Sequence, residues 1–226
     1  MKHRALIVPA LLASLLAVAA PCAQAFGLGD LANAATGSSS GSKISAGDVD
    51  TFIRTAHEAD LMINTAASHI YKMVANKEEV AKYEAALQAA NTVSDPKEKE
   101  AKINQIKADR DTDLKKMLAS KETEAKVKGM NAEQLKNFGN AAYTFMLGIL
   151  KDKQLAEGST ALVSGAGSNP SLLPKLASLK DAASSVASQV KSAASMGEGL
   201  VKLAKVGNIN IMPASTSEKP KIANDI

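Results

Sequence analysis

Tryptophan is absent from the sequence, and cysteine occurs once, at Cys22, close to the N-terminus. Histidine is almost as scarce, with His3, His57 and His69 the full set, and the aromatic rings amount to three Tyr and four Phe. Each scarcity excludes something. If Cys22 departs with a leader peptide, no disulfide, thiolate nucleophile or cysteine-zinc site can form, and a chain of about 200 residues must hold its fold by burial alone. Two remaining histidines supply neither the usual nucleophile–base pair nor a full zinc set. So few rings leave no stacking platform for single-stranded nucleic acid. An excess of one charge is lacking too. The formal net charge is +4, but Lys2 and Arg4 belong to the leader, and without them 25 of the 27 basic residues face 23 acids. A balance that near to neutral gives no electrostatic footprint for nucleic acid.

What is present begins with that leader. Lys2, His3 and Arg4 precede an uncharged stretch from Ala5 to Gly29, whose apolar run closes at Pro21. A positive start, an apolar middle and small residues at the cut describe a secretory signal peptide. Ala23-Gln24-Ala25 places the cleavage before Phe26, making 1–25 the signal peptide. The run is interrupted too early to serve as a membrane span, and Pro21 stands where lipid attachment to Cys22 would need a small residue. The expected location is periplasmic or secreted, in a bacterium, with no stable membrane span after cleavage.

Residues 26–47 are Gly- and Ser-rich and read as a flexible linker. The segment GSSSGSK resembles a phosphate loop, but Ser42 stands where that loop needs Gly before Lys43, and no strand precedes it. A helical domain over 48–206 follows. Val49, Ala56, Ile63 and Ile70 recur every seven residues, with Phe52, Ala59, Ala66 and Met73 three positions on, which gives the first helix one broad apolar stripe. Asn76 with Glu79 forms a capping box for a second helix. Asp95, Pro96 and Glu98 mark the start of a third, running to Gly129. Helices two and three should form an antiparallel hairpin, and the 12 basic and 11 acidic residues between Lys77 and Lys128 mark it as charged and solvated. Asn131 with Gln134 opens the next helix. From Lys136 to Lys151 it carries no charge, and its apolar residues lie around the whole circumference, so it should be the central helix, ending near Gly158. SGAGSNP reads as a loop, because Pro170 replaces the third Gly of a dinucleotide fingerprint. Leu172, Leu176, Leu179, Ala183, Val186, Val190 and Ala193 then form a coiled-coil-like seam that Gly197 and Gly199 should break. The tail, 207–226, has a disordered composition, although NINIM alternates like a short strand. The fold class is therefore all-α: a single bundle of about five to seven helices with a long charged hairpin, a flexible N-terminal arm and a C-terminal tail.

Chemistry is sparse. HEADL begins like the zinc-helix pattern, but Leu61 occupies the second histidine's place. His57 and His69, twelve residues apart, lie about 120° apart around a helix and do not face one metal. One constellation remains, the stripe His57, Asp60, Asn64 and Tyr71, spaced three, four and seven along one side of the first helix. A groove there would suit a cation or a small polar ligand, and the plainer reading is a polar border against a neighbouring helix. No catalytic, cofactor-binding or metal-ligating set is assigned, no cofactor is expected, and an enzyme is the least expected class. The expected function is an exported helical interaction module, scaffold or chaperone-like. It would contact another protein or itself through helical surfaces, with no nucleic acid as partner. The alternative is a periplasmic carrier of a small apolar ligand or metal ion.

Overall fold

The computed structural model of this chain describes residues 44–224. The leader, the GSSSGSK segment and nearly all of the linker lie outside the described residues. Within them the architecture is all-α: α1 Ala46–Val74, α2 Lys77–Asn91, α3 Pro96–Leu118, α4 Lys121–Lys128, α5 Ala132–Gly167, a 3-10 turn Pro170–Leu172, and α6 Leu173–Val206. Caps set the starts. Ser45, Asn76 and Asn131 each accept from the backbone N–H three residues on, while Asp48, Glu79 and Gln134 reach back, so α1, α2 and α5 open with complete capping boxes. Asp95 caps α3 directly ahead of Pro96.

The trunk is the trio α1, α5 and α6. Ile63 lies against Gly148 and Ile44 against Gly165, so α1 runs antiparallel to α5; Gly197 beside Met146 and Leu176 beside Gly167 set α6 antiparallel to it as well. The approach of α1 to α5 is close. A Cβ on Gly148 would lie 2.6 Å from Ile63 Cγ1 and 3.1 Å from the Ala59 carbonyl oxygen. Around α5, Phe138, Ala142, Phe145 and Leu147 are each fully buried, as expected of a helix that is apolar on every side. Two cores result. Ile70, Leu114, Phe138, Phe145 and Leu200 belong to one, and Val49, Phe52, Leu155, Leu179 and Val186 to the other. No helix among the described residues is long and apolar enough to cross a membrane.

Four local expectations are corrected. The third helix does not run to Gly129: it stops at Leu118, and Ser120 caps α4 by accepting from Thr123 N. The break lets Val127 turn fully inward and brings Lys126 Nζ to the Val74 and Ala75 carbonyls at 3.0 and 2.7 Å, closing the C-terminus of α1. SGAG is not a loop but the last turn of α5, where the missing side chain of Gly165 leaves room for Ile44. Gly197 and Gly199 do not end α6, and Gly199 accommodates Leu118 instead, whose Cβ would stand 2.8 Å from an added methyl.

The tail is the fourth. Its composition suggests disorder, yet residues 207–224 lie against α5. Asn208, with φ of 54°, turns the chain. Ile209 then sits over Gly139, Ile211 is buried, and Thr144 and Lys221 exchange hydrogen bonds of 2.8 and 3.0 Å. NINIM forms no strand. Its alternation instead sends two isoleucines onto a helix.

Candidate functional site

The buried seam of α5 reads Phe138, Ala141, Phe145, Gly148, Asp152, Leu155. Spacings of three and four keep one face toward the neighbouring helices, so helical geometry alone carries Asp152 into the core. It is fully buried, and neither carboxylate oxygen has a hydrogen-bond partner among the described residues. α1 and α6 meet it with polar groups. Gln189 Nε2 donates to Asp60 Oδ1, and Asn64 Nδ2 donates to the same oxygen at 2.8 Å. Gln189 Oε1 is buried without a partner among the described residues. Burial first, and the charge of Asp60 second, push the Asp152 carboxyl up from 3.8 to about 7. This polar layer lies where one apolar core gives way to the other.

From Asn64 the network reaches the hairpin. Arg110 of α3 is almost completely buried, and its Nη1 donates to the Asn64 carbonyl at 3.1 Å and to Ser68 Oγ at 2.7 Å. Its Nη2 donates to Asn64 Oδ1 at 3.2 Å and to Asp111 Oδ1 at 2.6 Å. Ser68 Oγ shares a 3.0 Å hydrogen bond with Tyr83 OH of α2. One guanidinium thus ties both hairpin helices to α1, and its fork of donors suits a cluster of carbonyl, amide and carboxylate oxygens.

The four stripe residues have different places. Asp60 and Asn64 are brought together and engaged by Gln189 and Arg110. Tyr71 is buried against Tyr83, with ring centroids 5.4 Å apart, and so borders the same network from its far side. His57 is exposed and stands apart. Asp152, Gln189 and Arg110 were not anticipated. The signal was available, since each interrupts an apolar seam at a three-or-four spacing, but each also resembles an ordinary surface residue; Asp152 stands between Lys151 and Lys153.

Two further surfaces have shape. Leu61, Met62, Ala66, Ala141, Ile222 and Ala223 line an apolar groove of about 360 Å³ between α1, α5 and the tail. Beside it the tail is fastened by Tyr143, whose hydroxyl donates to Glu218, and by Lys221, whose Nζ lies 3.7 Å from the centre of the Tyr143 ring. The hydrogen bond from Tyr143 and the Ala214 amide hold the Glu218 carboxyl below its usual range, and the same bond pushes Tyr143 up to about 12. Among the described residues there is no group of three or more His, Cys, Asp or Glu that could hold a metal ion. No protein-family model, curated protein or solved structure matches this chain.

Proposed function

We propose that this protein is an exported interaction module in which the three-helix trunk holds the α2–α3 hairpin as a docking arm for another protein. The arm carries the reading. Beyond its anchorage at Tyr83 and Arg110, α2 buries only Ala90 and α3 buries nothing between Pro96 and Asp109. Ordering these residues costs about 1–2 kcal/mol each in backbone entropy, and little apolar burial offsets it. Caps and ion pairs support the arm instead, among them Glu98–Lys102 at 2.8 Å and Lys72–Glu84 at 2.9 Å. Its surface alternates charges of both signs, which favours a charge-patterned protein surface as partner. Export rests on the leader: Lys2 and Arg4, the apolar run and Ala23-Gln24-Ala25.

The test is capture from a periplasmic extract, in salt steps, with the parent, an arm variant Lys97→Glu, Lys99→Glu, and the double variant His57→Ala, His69→Ala. The arm variant should lose its partner at unchanged melting temperature, and the histidine variant should keep it. Retention by the first and loss by the second would reject the arm. Sedimentation of the mature protein separates self-association from capture of a different chain. The groove beside α5 favours a second reading, carriage of a small apolar ligand, and native mass spectrometry of protein purified without detergent would reveal such a ligand as added mass.

A further inference from the structure

The layer formed by Asp60, Asp152 and Gln189 contains more acceptors than donors. The amide hydrogens of Gln189 and Asn64 are already directed at Asp60, which leaves both oxygens of Asp152 and Oε1 of Gln189 buried and unpartnered among the described residues. A proton on Asp152 would supply the layer with a donor and would replace a buried, unpaired anion by a neutral carboxyl. We propose that the layer is a proton-operated lock on the trunk: a proton on Asp152 closes α1, α5 and α6 across it, and loss of that proton sets two carboxylates against each other between the two cores and loosens the bundle there.

The neighbours leave Asp60 as the group that matters. From α1 the charge acting on Asp152 is that of Asp60; His57 is exposed, and Glu58 pairs with Arg54 at 3.3 Å. From α6 comes the uncharged Gln189, with Lys191 exposed. On α5 itself Lys151 and Lys153 lie off the seam. Arg110 of α3 is taken up by Asn64, Ser68 and Asp111, so among the described residues no cation is placed to hold Asp152 ionised. Between its ordinary 3.8 and about 7 the folded state binds a proton that the unfolded state does not. Stability therefore falls as pH rises through that window and levels off above it. The lock acts on the trunk and is independent of what the arm binds.

The experiment is a series of thermal melts of the mature protein from about pH 5 to about pH 8.5 at fixed ionic strength. Asp152→Asn and Asp60→Asn accompany the parent. The parent should lose at least about 5 °C across the range. Asp152→Asn, which keeps the shape and adds a donor, should be flat and should melt higher than the parent at the alkaline end. Asp60→Asn removes the like charge and should end the fall at lower pH. Amide exchange at one alkaline pH should be faster in the parent than in Asp152→Asn over residues 148–156 and 186–193. A parent that melts identically across the range, or an Asp152→Asn variant with the parental slope, overturns the lock. So does restoration of alkaline stability by millimolar potassium or calcium, since the layer would then hold a cation. Should Asp152→Asn fail to fold, infrared spectroscopy of the parent still decides. A protonated-carboxyl carbonyl band must be present near pH 6 and gone near pH 8.5, and its absence at the lower pH overturns the proposal.

Discussion

A methyl group added at position 148 would measure how tightly α1 and α5 are pressed together. Gly148→Ala places its Cβ against the Ala59 carbonyl, a backbone atom that cannot rotate aside, so the helices must separate; the expected loss is about 1–3 kcal/mol, read by chemical denaturation. Leu147→Asp is harsher. Its charge would enter a fully buried site at several kcal/mol against a total stability of roughly 5–15, enough to abolish the cooperative melt. Lys115→Ala, on an exposed face, should change stability by no more than about 0.5 kcal/mol. At this scale the sequence is legible where a residue agrees with its seam: Phe145, Leu147 and Val186 are buried as their spacing requires. Asp152 was illegible because its charge argues for solvent while its position argues for the core, and only packed neighbours show that position prevails.

The starts of α2, α3 and α5 were readable, whereas the ends expected near Gly158 and at Gly197 were not, for a physical reason. A start is fixed by a local bond, such as Asn76 to Glu79 N or Asp95 to Glu98 N, and that bond needs nothing beyond the next three residues. An end marked by glycine depends on what approaches. Gly165, Gly197 and Gly199 stay helical because Ile44, Met146 and Leu118 fill the space beside them. The tail follows the same logic, since its average composition hides the few residues that dock it. Tyr143→Phe removes the donor to Glu218 and should increase amide exchange across residues 213–224 without altering the cooperative melt. Acid should do likewise. The Glu218 carboxyl titrates below its ordinary 4.5 when docked. Its contribution is therefore fully present above that value and disappears as pH falls through the docked one, with exchange in the tail as the measurement.

For the whole molecule the two titrating sites act in opposite directions at opposite ends of the pH scale. Asp152 opposes folding as its proton is lost, and the difference between 3.8 and about 7 corresponds to roughly 4 kcal/mol as an upper bound. Glu218 holds the tail until acid removes its charge. The melting temperature of the trunk should therefore be highest on the acid side, where Asp152 keeps its proton, and near pH 4–5 the tail is still fastened as well. A pH series that combines melting with tail exchange checks both branches, and a melting maximum on the alkaline side would contradict the assignment.

Ile44 lies against Gly165 and Ile209 against Gly139 of the same helix, twenty-six residues apart, or roughly 39 Å at 1.5 Å per residue. Both described ends of the chain are thus moored to α5, one at each pole. A dye ahead of Ile44 and another on the tail would therefore bracket the long axis of the trunk and serve as its ruler.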